Sequence, residues 1–313
     1  MAFNDMISRV DIQSLIPEDV QREIVQGVPE QSAIMRVARR LPDMSRAQRR
    51  LPVLASLITA NFVNGDTGLK QTGEQVWANK FIDAEELAVI VPIPENVLAD
   101  ADYDIWSEIR PRIVEAFGIA FDAAVMFGTN APAAWPDDLL TAATAAGNVA
   151  DLSNFADIYD AILGETGSMS LIEQDGFGVN GHIAALSMKG RLRGLRDANG
   201  MPIFLRSMAE RTTYELDGSP VMFPMNGAFN AASALLFSGD WTQLVWSLRQ
   251  DITFKLLDQA VLTDAANNIV FNLPQQDMVA LRAVIRLGWQ MPNPINRIRP
   301  TEAQRYPIGI LVP

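Results

Sequence analysis

Cysteine is absent from the 313 residues, and histidine occurs once, as His182. Without thiols the chain forms neither disulfides nor thiolate metal centres. A single imidazole excludes any metal site that needs two, and any histidine-based catalytic pair in which His182 is not the base. No apolar run approaches about 18 residues, so no membrane-spanning helix is expected. The N-terminus lacks the basic-then-apolar order of a secretion signal, which makes a cytoplasmic origin the default expectation. Basic side chains are outnumbered, and the net charge is −12. A chain of that sign is not built to coat nucleic acid. Its many carboxylates form no recognisable catalytic pair, so neither an enzyme nor a bound cofactor or metal is expected.

What remains is an ordinary globular composition, with enough apolar residues for one large core or two smaller ones. The most regular stretch is Tyr103 to Gly128. Trp106, Ile109, Ile113, Phe117, Ala120 and Ala124 recur at steps of three or four and predict one amphipathic helix. Asp102 or Asp104 can cap its start, and Gly128 can end it in the left-handed conformation. Its length would be about 39 Å. Pro111, two turns in, predicts a bend or a later start. Read alone, this is a core helix of a large domain.

Two helices are expected before residue 50, one around Leu15–Val25 with Pro17 in its first turn, and one over Gln31–Arg40. Six arginines then fall within fifteen residues: Arg36, Arg39, Arg40, Arg46, Arg49 and Arg50. The plain reading is a solvated face; the sharper one is an arm lying on an acidic partner surface. Val53–Val63 and Gln75–Ile93 are β-rich and flank Asn64–Gly73, which is turn chemistry throughout, with Gly65, Gly68 and Gly73 beside Lys70. A long hairpin follows. Two strands alone are marginal in water, so a projecting hairpin needs a partner surface. Leu87–Ile93 predicts a strand entering the core, closed by Pro92 and Pro94.

Further on, Thr129–Asn148 reads as a loop with a short helix, Asn154–Leu163 as a helix, and Lys189–Leu195 as one or two helical turns. Gly176–Gly181 (GFGVNG) matches a dinucleotide fingerprint literally, but that reading needs a strand before it and a helix after it. A turn leading into a buried strand that starts at His182 fits the following residues better. Thr212–Leu216 and Val221–Phe223 flank another turn. Ala234–Phe237, Ser238-Gly239-Asp240 and Leu244–Leu248 read as strand, turn, strand. Val279–Trp289 fits strand or helix, and Pro292, Pro294 and Pro300 mark a loop beyond it.

In this order the pieces resemble the HK97-like major capsid proteins of tailed bacteriophages. Leu195–Pro202 looks like the family's L-x-D-x-x-G-x-P turn, Gly218–Val221 like its G-x-P-V step, and Phe237–Trp241 like its F-x-G-D-[FW] turn. Gln276–Gly288, followed by Pro294, looks like its long late strand. The resemblance implies an α+β fold with an N-terminal arm (1–50), an extended E-loop hairpin (51–85) and a peripheral domain (86–149). That domain carries the spine helix (103–128) and takes back a strand from 272–294. An axial domain would hold 150–271 and the segment 295–313. The implied function is a structural shell subunit, assembled in the host cytoplasm into pentamers and hexamers of a virion capsid that encloses double-stranded DNA without reading its sequence. An encapsulin-type shell is the alternative use of the fold, and a nucleotide-binding enzyme built on Gly176–Gly181 a remote one.

Gly65, Gly68, Lys70 and Gly73 are then the expected inter-subunit loop, and the six arginines a charged inter-subunit or inner-surface contact. Glu108 and Glu115 are candidates to pair with those arginines. Some members weld their subunits through an E-loop lysine, an asparagine and a glutamate. Here Lys70 or Lys80 could be the lysine, but the other two positions fall at Asp277 and Val284. An ionised carboxylate is a poor acyl acceptor and valine takes no proton, so no autocatalytic cross-link is expected. The stretch before the hairpin is shorter than the fused scaffolding region of some members. A separate scaffolding protein is implied, besides a portal and cement proteins, and Met1 points to no N-terminal processing.

Overall fold

The computed structural model describes residues 32–63, 69–101, 104–196, 199, 214–264 and 266–313. In chain order it forms α1 (Ala33–Val37), β1 (Arg39–Arg40), β2 (Gln48–Leu54), β3 (Trp77–Asp83), β4 (Glu85–Pro94), α2 (Glu95–Asp100) and α3 (Ile105–Phe127). There follow α4 (Leu139–Ala146), β5 (Val149–Asp151), α5 (Ile158–Leu163), α6 (Ser168–Gln174), β6 (Gly181–Ala184) and α7 (Met188–Gly194). The last part of the described chain is mostly strand: β7 (Glu215–Leu216), β8 (Ser219–Met222), β9 (Leu236–Gly239), β10 (Val245–Leu257), β11 (Val261–Thr263), β12 (Ile269–Asn272), β13 (Met278–Gln290) and β14 (Ile308–Val312). They make a four-stranded sheet β1-β10-β13-β4, a six-stranded sheet β5-β14-β9-β6-β8-β7, and the two ribbons β2-β3 and β11-β12.

α3 is the predicted amphipathic helix. Asp104 caps it, accepting from the Trp106 N–H at 3.0 Å, and Gly128 closes it at φ +66°. Pro111 neither breaks nor delays it. Pro111 is exposed, and so is Ser107, whose carbonyl loses its usual donor there, so solvent can stand in. Burial is concentrated from the third turn on, at Ile113, Phe117, Phe121, Ala124 and Val125, while Trp106 and Ile109 are only partly buried and Ala120 lies at the margin.

Beneath α3 lies the four-stranded sheet. Leu281, Ala283, Ile285, Leu287 and Trp289 of β13 face the helix, as do Leu87, Val89 and Val91 of β4. β13 is a strand because it sits between β10 and β4, with both faces covered over much of its length. β4, expected to enter the core, is instead an edge strand with an alternating half-buried pattern. Pro92 and Pro94 are tolerated there because an edge need not donate on its open side.

Three boundaries differ from the sequence reading. The helix expected over Gln31–Arg40 is one short helix, after which the chain turns extended at Arg39 to pair with β10. The helix expected from Asn154 starts at Ile158, because Asp157 caps it by accepting from Tyr159 N (2.8 Å) and Asp160 N (3.0 Å). β9 and β10 are the expected strand, turn and strand, but they do not pair with each other. β9 joins the six-stranded sheet and β10 the four-stranded one, so Val245–Leu257 leaves the unit expected over 150–271 and pairs with β13. The corner between them is tied by side-chain hydrogen bonds. Asp240 accepts from Asn180 Nδ2 (2.6 Å) and Thr242 N (3.1 Å), and the buried Trp241 indole donates to the Gly181 carbonyl (2.9 Å).

Gly176–Gly181 follows α6 and leads into β6, so the helix precedes and the strand follows, the reverse of a dinucleotide fingerprint. The predicted helix near Leu15 and most of the Leu195–Pro202 turn lie outside the described residues.

His182 is the second residue of β6, opposite Ser238 of β9, and is buried. A carbonyl only accepts, so Nε2–H donates to Leu216 O (3.3 Å) and Nδ1 accepts from Ser238 Oγ (2.9 Å). Burial holds its pKa down to about 4, against the partial offset of the Leu216 carbonyl and the Asp217 charge. The neutral ring is the native form, so the unfolded chain takes up the proton first. The stability His182 contributes is whole above its ordinary 6.5 and declines as pH falls toward 4, by about 3 kcal/mol in all. His182→Gln should flatten the fall in urea midpoint between pH 6.5 and 4. An unchanged slope would show that other groups carry it.

Candidate assembly surface

The hairpin starts nearer the body than predicted. Its ladder runs from Gln48↔Asp83 to Leu54↔Trp77. Beyond the ladder the two arms stay together through Ala55 N to Val76 O (2.8 Å), Val76 N to Ser56 Oγ (2.9 Å) and Asn61 Nδ2 to Gln71 Oε1 (2.8 Å). Gly73 lets the arms close, since a Cβ there would lie 2.9 Å from Ile58 Cγ2. Gly65 and Gly68 lie outside the described residues. Lys70 is exposed, and so are the apolar Ile58, Phe62, Leu69 and Trp77, with Leu69 at 93%. A segment this apolar with so little cover of its own has the character of an interface.

The root of the hairpin is fixed with care. Gly288 of β13 has no side chain, which lets the Asp83 carbonyl and Ile82 lie directly against it. That carbonyl accepts from the Trp135 indole at 3.1 Å. Gln290 Nε2 donates to Phe81 O (2.8 Å), Lys80 pairs with Glu302, and Arg297 donates to Ile58 O (2.8 Å). Glu302 and Arg297 belong to the proline-marked loop after β13, whose shape comes from buried Arg305. Its guanidinium donates to the carbonyls of Pro294 (3.1 Å), Pro300 (2.8 Å) and Asn293 (2.9 Å). Arg305 and Glu302 were not among the expected site residues; a lone arginine after three prolines is a weak signal.

The arginine cluster divides. Arg49 is spent within the chain on Pro42 O (2.6 Å) and Asp43 O (2.9 Å). Arg40 pairs with Asp43 at 2.9 Å and stacks over the Trp246 ring. Arg36, Arg39, Arg46 and Arg50 are exposed. Glu115 pairs not with this cluster but with Arg112, one turn back on its own helix, at 2.8 Å. Glu108 lies in the first turn of α3, where the helix N-terminus favours a negative charge.

Where the arm joins the body, a group the sequence reading missed takes over. Asp122, wholly buried on α3, accepts from Ser32 Oγ (2.5 Å), Ala33 N (2.8 Å), Ile34 N (3.1 Å) and Asn226 Nδ2 (3.0 Å). It closes the N-terminus of α1 from outside that helix. Burial pushes its carboxyl pKa up, against the pull of these bonds. The signal was available: an aspartate one residue past Phe121, on the apolar side of an amphipathic helix. Chemically these features position and fasten. Among the described residues, no group of three or more His, Asp or Glu could hold a metal ion.

A model of the phage capsid family matches residues 13–298. The chain is 27% identical over 276 residues to the major capsid protein of Staphylococcus phage 80alpha, covering 85% of this chain and 78% of that one. It is likewise 27% identical over 267 residues to the probable major capsid protein gp17 of Mycobacterium phage D29, covering 80% and 78%. A solved chain from Microbacterium phage Oxtober96 superposes with a TM-score of 0.86 at 34% identity, over 99% of this chain and 100% of that one. Its fold is therefore α+β of the HK97 type, and the chain belongs to the phage capsid family.

Proposed function

We propose that this chain is the major capsid subunit of a tailed phage, assembling in the host cytoplasm into pentamers and hexamers of an icosahedral shell around double-stranded DNA. The observation that carries the reading is the near end-to-end likeness to a solved phage chain, at 34% identity and 99% coverage. The hairpin is the E-loop and lies across a neighbouring subunit, which supplies the cover its apolar residues lack. The four-stranded sheet with α3 serves as the peripheral domain, and the six-stranded sheet as the axial domain. Arg36, Arg39, Arg46 and Arg50 serve inter-subunit or inner-surface contacts. A separate scaffolding protein, a portal and cement proteins complete the set of partners. DNA is confined rather than bound by sequence, in keeping with the net charge of −12.

Electron microscopy of the chain expressed with its neighbouring genes tests this. Closed particles of uniform diameter are expected, and denaturing gels should show one band near 34.4 kDa, without a covalent ladder. A monomer under every condition would overturn the shell reading. Particles that take up an enzyme instead of DNA would move it to an encapsulin-type shell.

A further inference from the structure

β4 is the outer strand of the four-stranded sheet, and one of its sides is open. Which groups stand on that side follows from the ladder. Glu95 N donates to Asp277 O at 2.9 Å, one step beyond the Pro94↔Met278 pair, and the register runs without a shift from there to Glu85↔Leu287. The odd-numbered residues of β4 therefore bond to β13, and the N–H and C=O groups of Glu86, Ala88 and Ile90 point away from it. Pro92 and Pro94 fall in the outward set, where no donor is needed. Among the described residues, nothing bonds to the outward groups of Glu86, Ala88 and Ile90.

A cavity of ≈ 370 Å³ borders the same edge, between the C-terminal half of α3 and the start of β4. Leu87, Ile119, Ala123 and Trp135 are among the residues that line it, with Glu85. Phe121 and Trp135 form one wall, edge to face at 5.9 Å, and the indole is held on the Asp83 carbonyl at 3.1 Å. An apolar cavity of about 150 Å³ already accepts a benzene ring, so this one takes a large side chain. Leu87 points toward α3, so the residue opposite Leu87 on an added strand points there too and enters the cavity. Glu85 lies on the same face of β4 and forms no ion pair among the described residues.

We infer that β4 accepts an added strand from a second, different protein. Its extended segment bonds to Glu86, Ala88 and Ile90, sets one large apolar side chain in the cavity and carries a lysine or arginine against Glu85. Main-chain bonds at an open edge supply the affinity, and the cavity supplies the selection. The call for a cation is what points away from a second copy, since this chain carries a net charge of −12. Pro92 and Pro94 end the open row of donors, so the added strand spans about five residues, opposite Glu86 to Ile90. The inference goes beyond the shell reading, which stands or falls without it.

Amide hydrogen exchange tests it, read residue by residue in shells of the chain alone and in particles purified from infected cells. The Glu86, Ala88 and Ile90 amides should exchange freely in the first and at least about a hundredfold more slowly in the second. Protection in both would assign the edge to a second copy, and free exchange in both would leave it unpaired; either overturns the inference and spares the shell reading. Ala88→Pro removes one outward N–H and, like Pro92 and Pro94, keeps the ladder with β13. It should leave the urea midpoint of the free subunit unchanged and abolish the protection at Glu86 and Ile90; protection that survives would also reject the added strand. If the chain forms no shells, the shell reading fails and the free subunit decides the edge. There the peptide Lys-Thr-Phe-Thr-Val-Thr-Lys should bind, and lose at least about tenfold in affinity on Ala88→Pro or when its alternate backbone nitrogens are methylated. No saturable binding would reject the inference.

Discussion

Asp122→Ala should lower the stability of the subunit by about 4 kcal/mol, the largest effect expected of any single truncation here. The carboxylate accepts four bonds in a site closed to water, and three of the four donors belong to Ser32, Ala33 and Ile34, where the arm meets the body. Alanine leaves these donors buried and unpartnered, each at about 1–3 kcal/mol, with relaxation recovering part. Asp122→Asn keeps one accepting oxygen but turns an NH₂ group toward donors, so roughly half the loss is expected. Its charge no longer needs burying, which works in its favour. Urea midpoints of the disassembled subunit measure both. An alanine variant within about 1 kcal/mol of the parent would remove Asp122 from this role.

Gly288→Ala is the second. A Cβ there would overlap the Asp83 carbonyl oxygen and stand 2.9 Å from both Asp83 C and Ile82 Cγ2. Backbone on one side and a buried isoleucine on the other leave no flexible end to move aside. The hairpin root must shift, and the Trp135 bond to Asp83 goes with it. A loss of about 3 kcal/mol is expected, the upper end for an overpacked site. Particle formation should fail as well, because the root sets the angle at which the hairpin leaves the body. Gly190→Ala in α7 is the control. Nothing lies within 4 Å of its added methyl, so neutrality or a gain of up to about 1 kcal/mol is expected. If both variants assemble alike, the root does not set the hairpin.

What could be read from the sequence was local. α3 was legible because period, cap and terminal glycine agree, and the hairpin because turn residues separate two β-rich runs. β13 stayed ambiguous because a central strand covered on both faces loses the alternation that marks a half-buried one. The strand, turn and strand around Ser238 to Leu244 were read as they are, but not which sheet the second strand joins: a turn has the same chemistry whether the chain then pairs with its predecessor or leaves for another sheet. The candidate site was legible in outline only. Lys70 and Gly73 fall on the exposed hairpin as read, but Glu115 is taken by Arg112, and the fastening groups Asp122, Glu302 and Arg305 act through contacts 88 to 222 residues apart or through carbonyls that carry no sequence signature.

The order of strands in the sheet under α3 bears on how the chain is made. α3 is complete at Phe127, but β13, the strand it packs on, ends at Gln290, about 160 residues later. At about 5–20 residues per second, Phe117, Phe121 and Val125 therefore wait roughly 8–33 s on the ribosome before the part of their cover that β13 supplies exists. The subunit reaches its native sheet only after synthesis of nearly the whole chain, and during that interval the sheet side of α3 is only partly covered and open to the other nascent copies around it.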